Sequence, residues 1–170
     1  MASGKTTFGE ALARKLKMPF IDLDGYIEER EGKSISEIFG EKGEPYFRQL
    51  EQEMLKKATM ENSDAVIACG GGTPCHFNNM AYMNSKGLTI FLETSTPVLI
   101  SRLQQGKDAR PLVAEKSDEE IEEQVLSQLC HRLPQYMQAK LKWHGDDLET
   151  AAEIEENVES FISSYPSVFR

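Results

Sequence analysis

Short apolar runs alternating with longer amphipathic segments predict an α/β domain built around a mostly parallel sheet. Three observations carry that expectation. The chain has 170 residues, one domain's worth, enough to cover a sheet with helices on both faces. Its short apolar runs end in carboxylates or glycines, as in Phe20-Ile21-Asp22-Leu23-Asp24 and the run over 64–69 that leads into Gly70-Gly71-Gly72. Its composition, 39% hydrophobic and 28% charged, is that of a folded globular chain rather than a disordered one.

The elements follow in order. Residues 4–17 read as a helix with Ala11, Leu12 and Leu16 on one side. Pro19 follows its end, and 20–24 is a short buried strand finishing in carboxylates. Helices are predicted over 24–31, 34–41 and 44–61, with Ser34-x-x-Glu37 as a capping box. A strand over 64–69 precedes the glycine run, a helix covers 78–85, and a third strand covers 88–92. Thr96-Pro97 opens the next helix, since proline is tolerated in a first turn. Residues 106–117 hold Gly, Lys, Asp, Arg and Pro with little periodicity and predict a mobile loop. A helix over 118–138 with a break near Pro134, a weak last strand over 140–144 and a closing helix over 150–164 complete the chain. With no repeat and no linker, residues 1–170 are expected to form one domain.

Composition narrows the function. Acidic residues outnumber basic ones 28 to 19, a net charge of −9, which disfavours general nucleic-acid binding. A local cluster of Arg and Lys can still hold a small anion. No apolar run approaches the roughly 20 residues of a membrane span. The opening MASGKTTFGEALARKL has no apolar signal core, so no membrane association and a cytoplasmic location are expected. Cys69, Cys75 and Cys130 are too few for a disulfide scaffold and are expected to be reduced; His76, His131 and His144 have no metal-site spacing. No apolar interaction stripe stands out, so a monomer is expected.

The strongest local signal is Ser3-Gly4-Lys5-Thr6-Thr7 at the mouth of the first helix. In a P-loop, glycines turn backbone N–H groups toward a phosphate and the helix N-terminus adds partial positive charge. Lys5 then reaches the β- and γ-phosphates and the Thr6 hydroxyl ligates Mg²⁺. Ala2, Ser3, Gly4, Lys5, Thr6 and Thr7 are the candidate nucleotide contacts. The competing reading is an ordinary helix start, with Ser3 as cap and Lys5 solvated. The full pattern G-x-x-x-x-G-K-[ST] places its first glycine two positions before Met1, delivered by a strand, and the sequence holds neither. The expected fold is thus a P-loop NTPase-like three-layer sandwich without its first strand, the sequence beginning late. A chain that truly began at Met1 is expected to bind nucleotide weakly and to lose stability.

Asp22 and Asp24 sit at a strand end, where open α/β folds place ligands. Residues two apart in an extended segment point the same way, so one acid could hold Mg²⁺ and the other could orient and deprotonate a hydroxyl. Asp24 as a plain helix cap is the alternative. Three consecutive glycines weaken regular structure and suit close backbone approach by a ligand, although a tight turn would need one or two of them. Phosphoryl transfer calls for converging cations, for which Arg48, Arg110 and Arg132 are candidates; a lone Arg is more often a solvated surface charge.

The ordered set GKTT, Asp-Leu-Asp, Ser-Ile-x-Glu-Ile-Phe, Gly-Glu-x-x-Phe-Arg-x-x-Glu, Gly-Gly-Gly, Arg-Pro-Leu and Arg-x-Pro-x-Tyr resembles the shikimate kinase family and spans residues 3–136. The resemblance implies transfer of the γ-phosphate of ATP to the 3-hydroxyl of shikimate, in aromatic amino-acid biosynthesis, with Mg²⁺. It implies Asp22 in the Mg²⁺ environment and Asp24 as the hydroxyl partner and base. Arg48 and Arg132 would clamp the substrate carboxylate, Gly70, Gly71 and Gly72 would offer backbone contacts, and Phe39 and Phe47 would line the pocket. Arg110, on a lid over 106–117, would close over ATP and act on the transferred group together with Lys5. The segment Trp143-His144-Gly145-Asp146 does not match the family pattern, so no adenine contacts are assigned to it. Two alternatives stay open: another small-metabolite P-loop kinase, such as a gluconate kinase, and a non-catalytic shortened P-loop module.

Overall fold

The computed structural model describes residues 2–106 and 116–169. It forms two compact units, one of Lys5–Gly87 and one of Met1–Gly4 with Leu88–Arg170.

In the first unit, α1 (Lys5–Leu16) leads to β1 (Phe20–Asp22), α2 (Leu23–Glu31), α3 (Ile35–Glu61), β2 (Val66–Ala68), a single 3-10 turn (Thr73–Cys75) and α4 (Asn79–Lys86). β1 and β2 pair in parallel, Phe20 opposite Val66 and Asp22 opposite Ala68. α1 lies close on β1 because Gly9 has no side chain: a Cβ there would sit 2.8 Å from the Phe20 ring. The core joins α2 to α3 through Leu23, Ile27, Ile38, Phe47, Leu50, Leu55 and Ala58. Each large member contributes about 1.5–3 kcal/mol by leaving water.

Local chemistry sets the boundaries. The Asp22 side chain accepts the Asp24 backbone N–H and caps α2, so the strand stops at Asp22. Asp24 therefore stands in the first turn of a helix, not at the end of a strand, which corrects the expectation of two carboxylates in one extended segment. The Ser34–Glu37 capping box forms as the sequence predicts. The expected gap between 41 and 44 is a kink inside α3 at Gly43, whose φ of 76° and ψ of 170° favour glycine. Pro45 is tolerated because it opens the helix that resumes after this break.

The second unit holds β3 (Ile90–Glu93), α5 (Thr96–Gln105), α6 (Asp118–Tyr136), β4 (Leu141–His144) and α7 (Ala151–Ser164). β3 and β4 are parallel, Ile90 opposite Leu141 and Glu93 opposite His144. Leu99, Leu103, Ile121 and Val125 pack α5 on α6. Trp143 stacks edge-on against Phe161 of α7, with centroids 5.2 Å apart, and its indole N–H donates to Asn157 at 2.7 Å. Capping boxes at Ser117–Glu120 and Thr150–Glu153 start α6 and α7. α6 continues past Pro134 to Tyr136. Both strand pairs are parallel, each a two-stranded sheet among the described residues. The expected lid falls mostly on 107–115, outside the described residues, and Arg110 with it. Among the described residues no helix is long and apolar enough to cross a membrane.

Candidate active site

The unit of Lys5–Gly87 brings Lys5, Thr6, Asp22, Asp24, Arg48 and the triple glycine around the carboxyl ends of β1 and β2. Thr6, in the first turn of α1, donates its hydroxyl to Asp22 Oδ2 at 3.0 Å, and Asp22 Oδ1 accepts the Asp24 N–H at 3.1 Å. With its proton committed to Asp22, the Thr6 oxygen keeps lone pairs for a cation. Among the described residues no group of three His, Cys, Asp or Glu could hold a metal by itself. A threonine hydroxyl and one carboxylate fit the other kind of site, in which Mg²⁺ takes few protein oxygens and completes its octahedron with water and phosphate.

Asp24 is exposed by surface area, yet the groups around it partly dehydrate its carboxyl. Burial, then the neighbouring charges of Asp22 and Glu51, push its carboxyl above the ordinary Asp range, and the Lys5 ammonium opposes them. A carboxylate raised in this way is a better proton acceptor than a free one. Gly70 makes the room: a Cβ there would lie 3.0 Å from Asp24 Oδ1 and 3.2 Å from Glu51 Oε1.

Arg48 is fixed on three sides. Its Nη1 donates to Glu51 Oε2 at 3.0 Å, and its Nε and Nη2 donate to Glu44 Oε1 at 3.1 and 3.0 Å. The guanidinium carbon stands 5.8 Å from the centroid of Phe39 and 5.2 Å from that of Phe47, two rings 4.4 Å apart. Gly72 closes over it, since a Cβ there would be 2.6 Å from Nη1. Gly70 and Gly72 thus leave space for three charged side chains, Asp24, Glu51 and Arg48. Phe47 is 3% exposed and belongs to the core beneath Arg48, while Phe39 is half-buried.

Glu51 is the residue that sequence reasoning left out of the site. It is 1% exposed and both its oxygens are used: Oε2 by Arg48, Oε1 by the Thr73 hydroxyl at 2.6 Å. Thr73 carbonyl oxygen in turn accepts from Asn79 Nδ2 at 3.0 Å, which ties the turn after the glycines to α4. The signal was present as Glu44, Arg48 and Glu51, spaced four and three along one helix. The spacing marks Glu51 as part of a motif but does not show that it is buried. No disulfide joins the three cysteines, and burial, then Glu51 and the two aspartates against Lys5, pushes the Cys69 thiol up to about 12.

The other unit holds Ala2, Ser3, Gly4 and Arg132. Ser3 carbonyl oxygen accepts the Thr94 hydroxyl at 3.1 Å. Gly4 has a φ of 84° and no room for a side chain, because a Cβ would meet Leu148 Cδ1 at 2.6 Å. Ala2 packs against the Leu99–Val125 cluster. Arg102 fastens the loop that carries Leu148 by donating to the carbonyls of Gly145 at 2.8 Å and Asp146 at 2.6 Å. Arg132 is half-buried on α6, and Thr7 is half-buried in α1 of the first unit.

A lysine at a helix mouth, a threonine hydroxyl beside a carboxylate and a second carboxylate of raised proton affinity suit one task, the handling of a phosphoryl group, and on an α/β scaffold that defines the P-loop phosphotransferase class. Known proteins narrow the class. The shikimate kinase family model matches residues 1–163. A shikimate kinase of Bacteroides fragilis is 48% identical over 159 residues, 94% of this chain and 88% of the relative. The crystal structure of shikimate kinase from Bacteroides thetaiotaomicron is similar at a TM-score of 0.92 and 42% identity, covering 98% of this chain and 94% of that one. Shikimate kinase from Acinetobacter baumannii, solved in complex with shikimate, is similar at a TM-score of 0.83 and 27% identity, covering 98% and 89% of the two chains. The chain belongs to the shikimate kinase family.

Proposed function

We propose that this chain transfers the γ-phosphate of ATP to the 3-hydroxyl of shikimate. The observation that carries the reading is the pairing, within one unit, of a proton-accepting Asp24 with an Arg48 locked by buried Glu51. The first group suits an attacking hydroxyl and the second suits a carboxylate on the same small molecule.

Lys5 and the α1 N-terminus hold the β- and γ-phosphates. Thr6 and Asp22 are the residues that would hold Mg²⁺, which when bound neutralises charge on the phosphate oxygens. Asp24 orients the substrate hydroxyl and takes its proton. The new O–P bond forms as the bond between the γ-phosphorus and the β–γ bridging oxygen breaks, and ADP leaves. Arg48 pairs with the substrate carboxylate, and its fixed guanidinium favours bidentate contact. By family likeness, Arg132 is assigned a second carboxylate contact, Gly70–Gly72 backbone contacts to substrate, Phe39 and Phe47 the apolar wall, and Arg110 charge stabilisation on the transferred group. Ala2, Ser3, Gly4 and Thr7 are assigned nucleotide contacts. The reading takes residues 1–170 as one kinase domain, a cytoplasmic monomer acting on small molecules and not on nucleic acid or membranes.

Coupled measurement of ADP release with ATP·Mg²⁺ tests the assignment. Release that depends on shikimate, and that stays at background with gluconate, is expected; release equal with the two acceptors, or indifferent to shikimate, contradicts it.

A further inference from the structure

We propose that Glu44 is a specificity-determining residue: it occupies the Nε/Nη2 edge of Arg48 and gives way only to a ligand carrying its own carboxylate. The inference rests on the reading of shikimate as substrate and adds to it the group that the substrate must displace.

Arg48 has two carboxylate partners of different character. Glu51 is 1% exposed and spends both oxygens inside the protein, on Arg48 and Thr73, so it stays. The Glu44 side chain is 57% exposed and uses a single oxygen, Oε1, for both Nε and Nη2. That edge is the one a carboxylate takes in a fork-to-fork pair with arginine. Charge makes the two occupants exclusive. Arg48 and Glu51 are neutral together, Glu44 brings the group to −1, and a substrate carboxylate beside it would bring −2 onto one guanidinium.

Arg48 itself has little freedom to rearrange. Gly72 lies against its guanidinium, where even a methyl group would come within 2.6–2.8 Å of Nη1, Cζ and Nη2. Glu44 has more freedom. It follows the kink at Gly43 and begins the helix that resumes there. A second partner is at hand, since His76 Nε2 stands 4.0 Å from the same Oε1, an ion pair when the imidazole is protonated. Exchange therefore consists of Glu44 leaving Arg48 toward His76 and solvent as the ligand carboxylate arrives. A neutral polyol of the same shape has nothing to offer Arg48 in return and leaves Glu44 in place. An exposed ion pair is weakly held, so the competition costs a carboxylate ligand a small factor in affinity, about 2–5-fold.

Glu44→Gln, which keeps the shape and removes the charge, separates this role from simple support of Arg48. Shikimate affinity would be measured by calorimetry without nucleotide, alongside KM for shikimate and for ATP. Removal of a competitor predicts that Kd and KM for shikimate fall about 2–5-fold while KM for ATP does not follow. His76→Gln, by denying Glu44 its second partner, predicts a rise in the shikimate Kd. If Glu44 only steadied Arg48, Glu44→Gln would weaken shikimate binding or leave it unchanged, and either result overturns the proposal. A wild-type chain that binds shikimate without any gain in the variant refutes the role of Glu44 alone. A wild-type chain that neither binds nor phosphorylates shikimate refutes the function and the inference together.

Discussion

Asp24 and Glu51 are both carboxylates close to positive charge, yet the fold uses them in opposite ways. Glu51 is spent on structure, with Arg48 on one oxygen and Thr73 on the other. Asp24 is left partly dehydrated beside Asp22 and Glu51, which raises its affinity for a proton. That has a cost with a definite sign. A group whose pKa is raised by folding contributes stability below the ordinary Asp range and loses that contribution as pH rises through its raised value. At pH 7 an ionised Asp24 therefore weighs against the fold. Asp24→Asn is expected to raise the melting temperature at pH 7, by about 1–2 °C because solvent access screens the effect. The gain should vanish near pH 4, a comparison that differential scanning calorimetry at the two pH values makes directly. An equal gain at both values would assign it to something other than the charge.

The elements were legible because each is announced by local chemistry. The 3.6-residue pattern marks α1, α3 and α6, Ser34 with Glu37 marks the start of α3, and parallel strands follow from apolar runs separated by helices. The failures lie where a side chain overrides the pattern. Asp22 caps α2 and so takes Asp24 out of the strand, which a run of apolar and acidic residues does not reveal. Glu51 looks like a solvated charge on a helix face until Thr73, 22 residues later, covers its other oxygen. Spacing can pair Glu51 with Arg48, but burial depends on that later turn. The Ser34 box begins the stretch of α3 over 35–42, which the Gly43 kink separates from the stretch that carries Phe47, Arg48 and Glu51, so its loss bears on stability. Ser34→Ala is expected to cost about 1 kcal/mol, lowering the melting temperature by roughly 2–4 °C. Thermal unfolding with circular dichroism detection checks this, and an unchanged midpoint would mean that α3 starts without its cap.

At the scale of the molecule, a chain with a net charge of −9 is assigned two anionic ligands. In the proposed mechanism the duties are separate. There Lys5 and the mouth of α1 would receive phosphate, Arg48 would receive the carboxylate, and Asp24 would orient the substrate hydroxyl and accept its proton. The family resemblance was legible from the order of short motifs along the chain, while the way Arg48 is held needed the fold. The most direct test of separated duties is a paired measurement on Asp24→Asn: calorimetric titration with shikimate and turnover with ATP·Mg²⁺. A shikimate Kd within a few-fold of the wild type is expected, with turnover lower by at least about 100-fold. Turnover close to that of the wild type would contradict it.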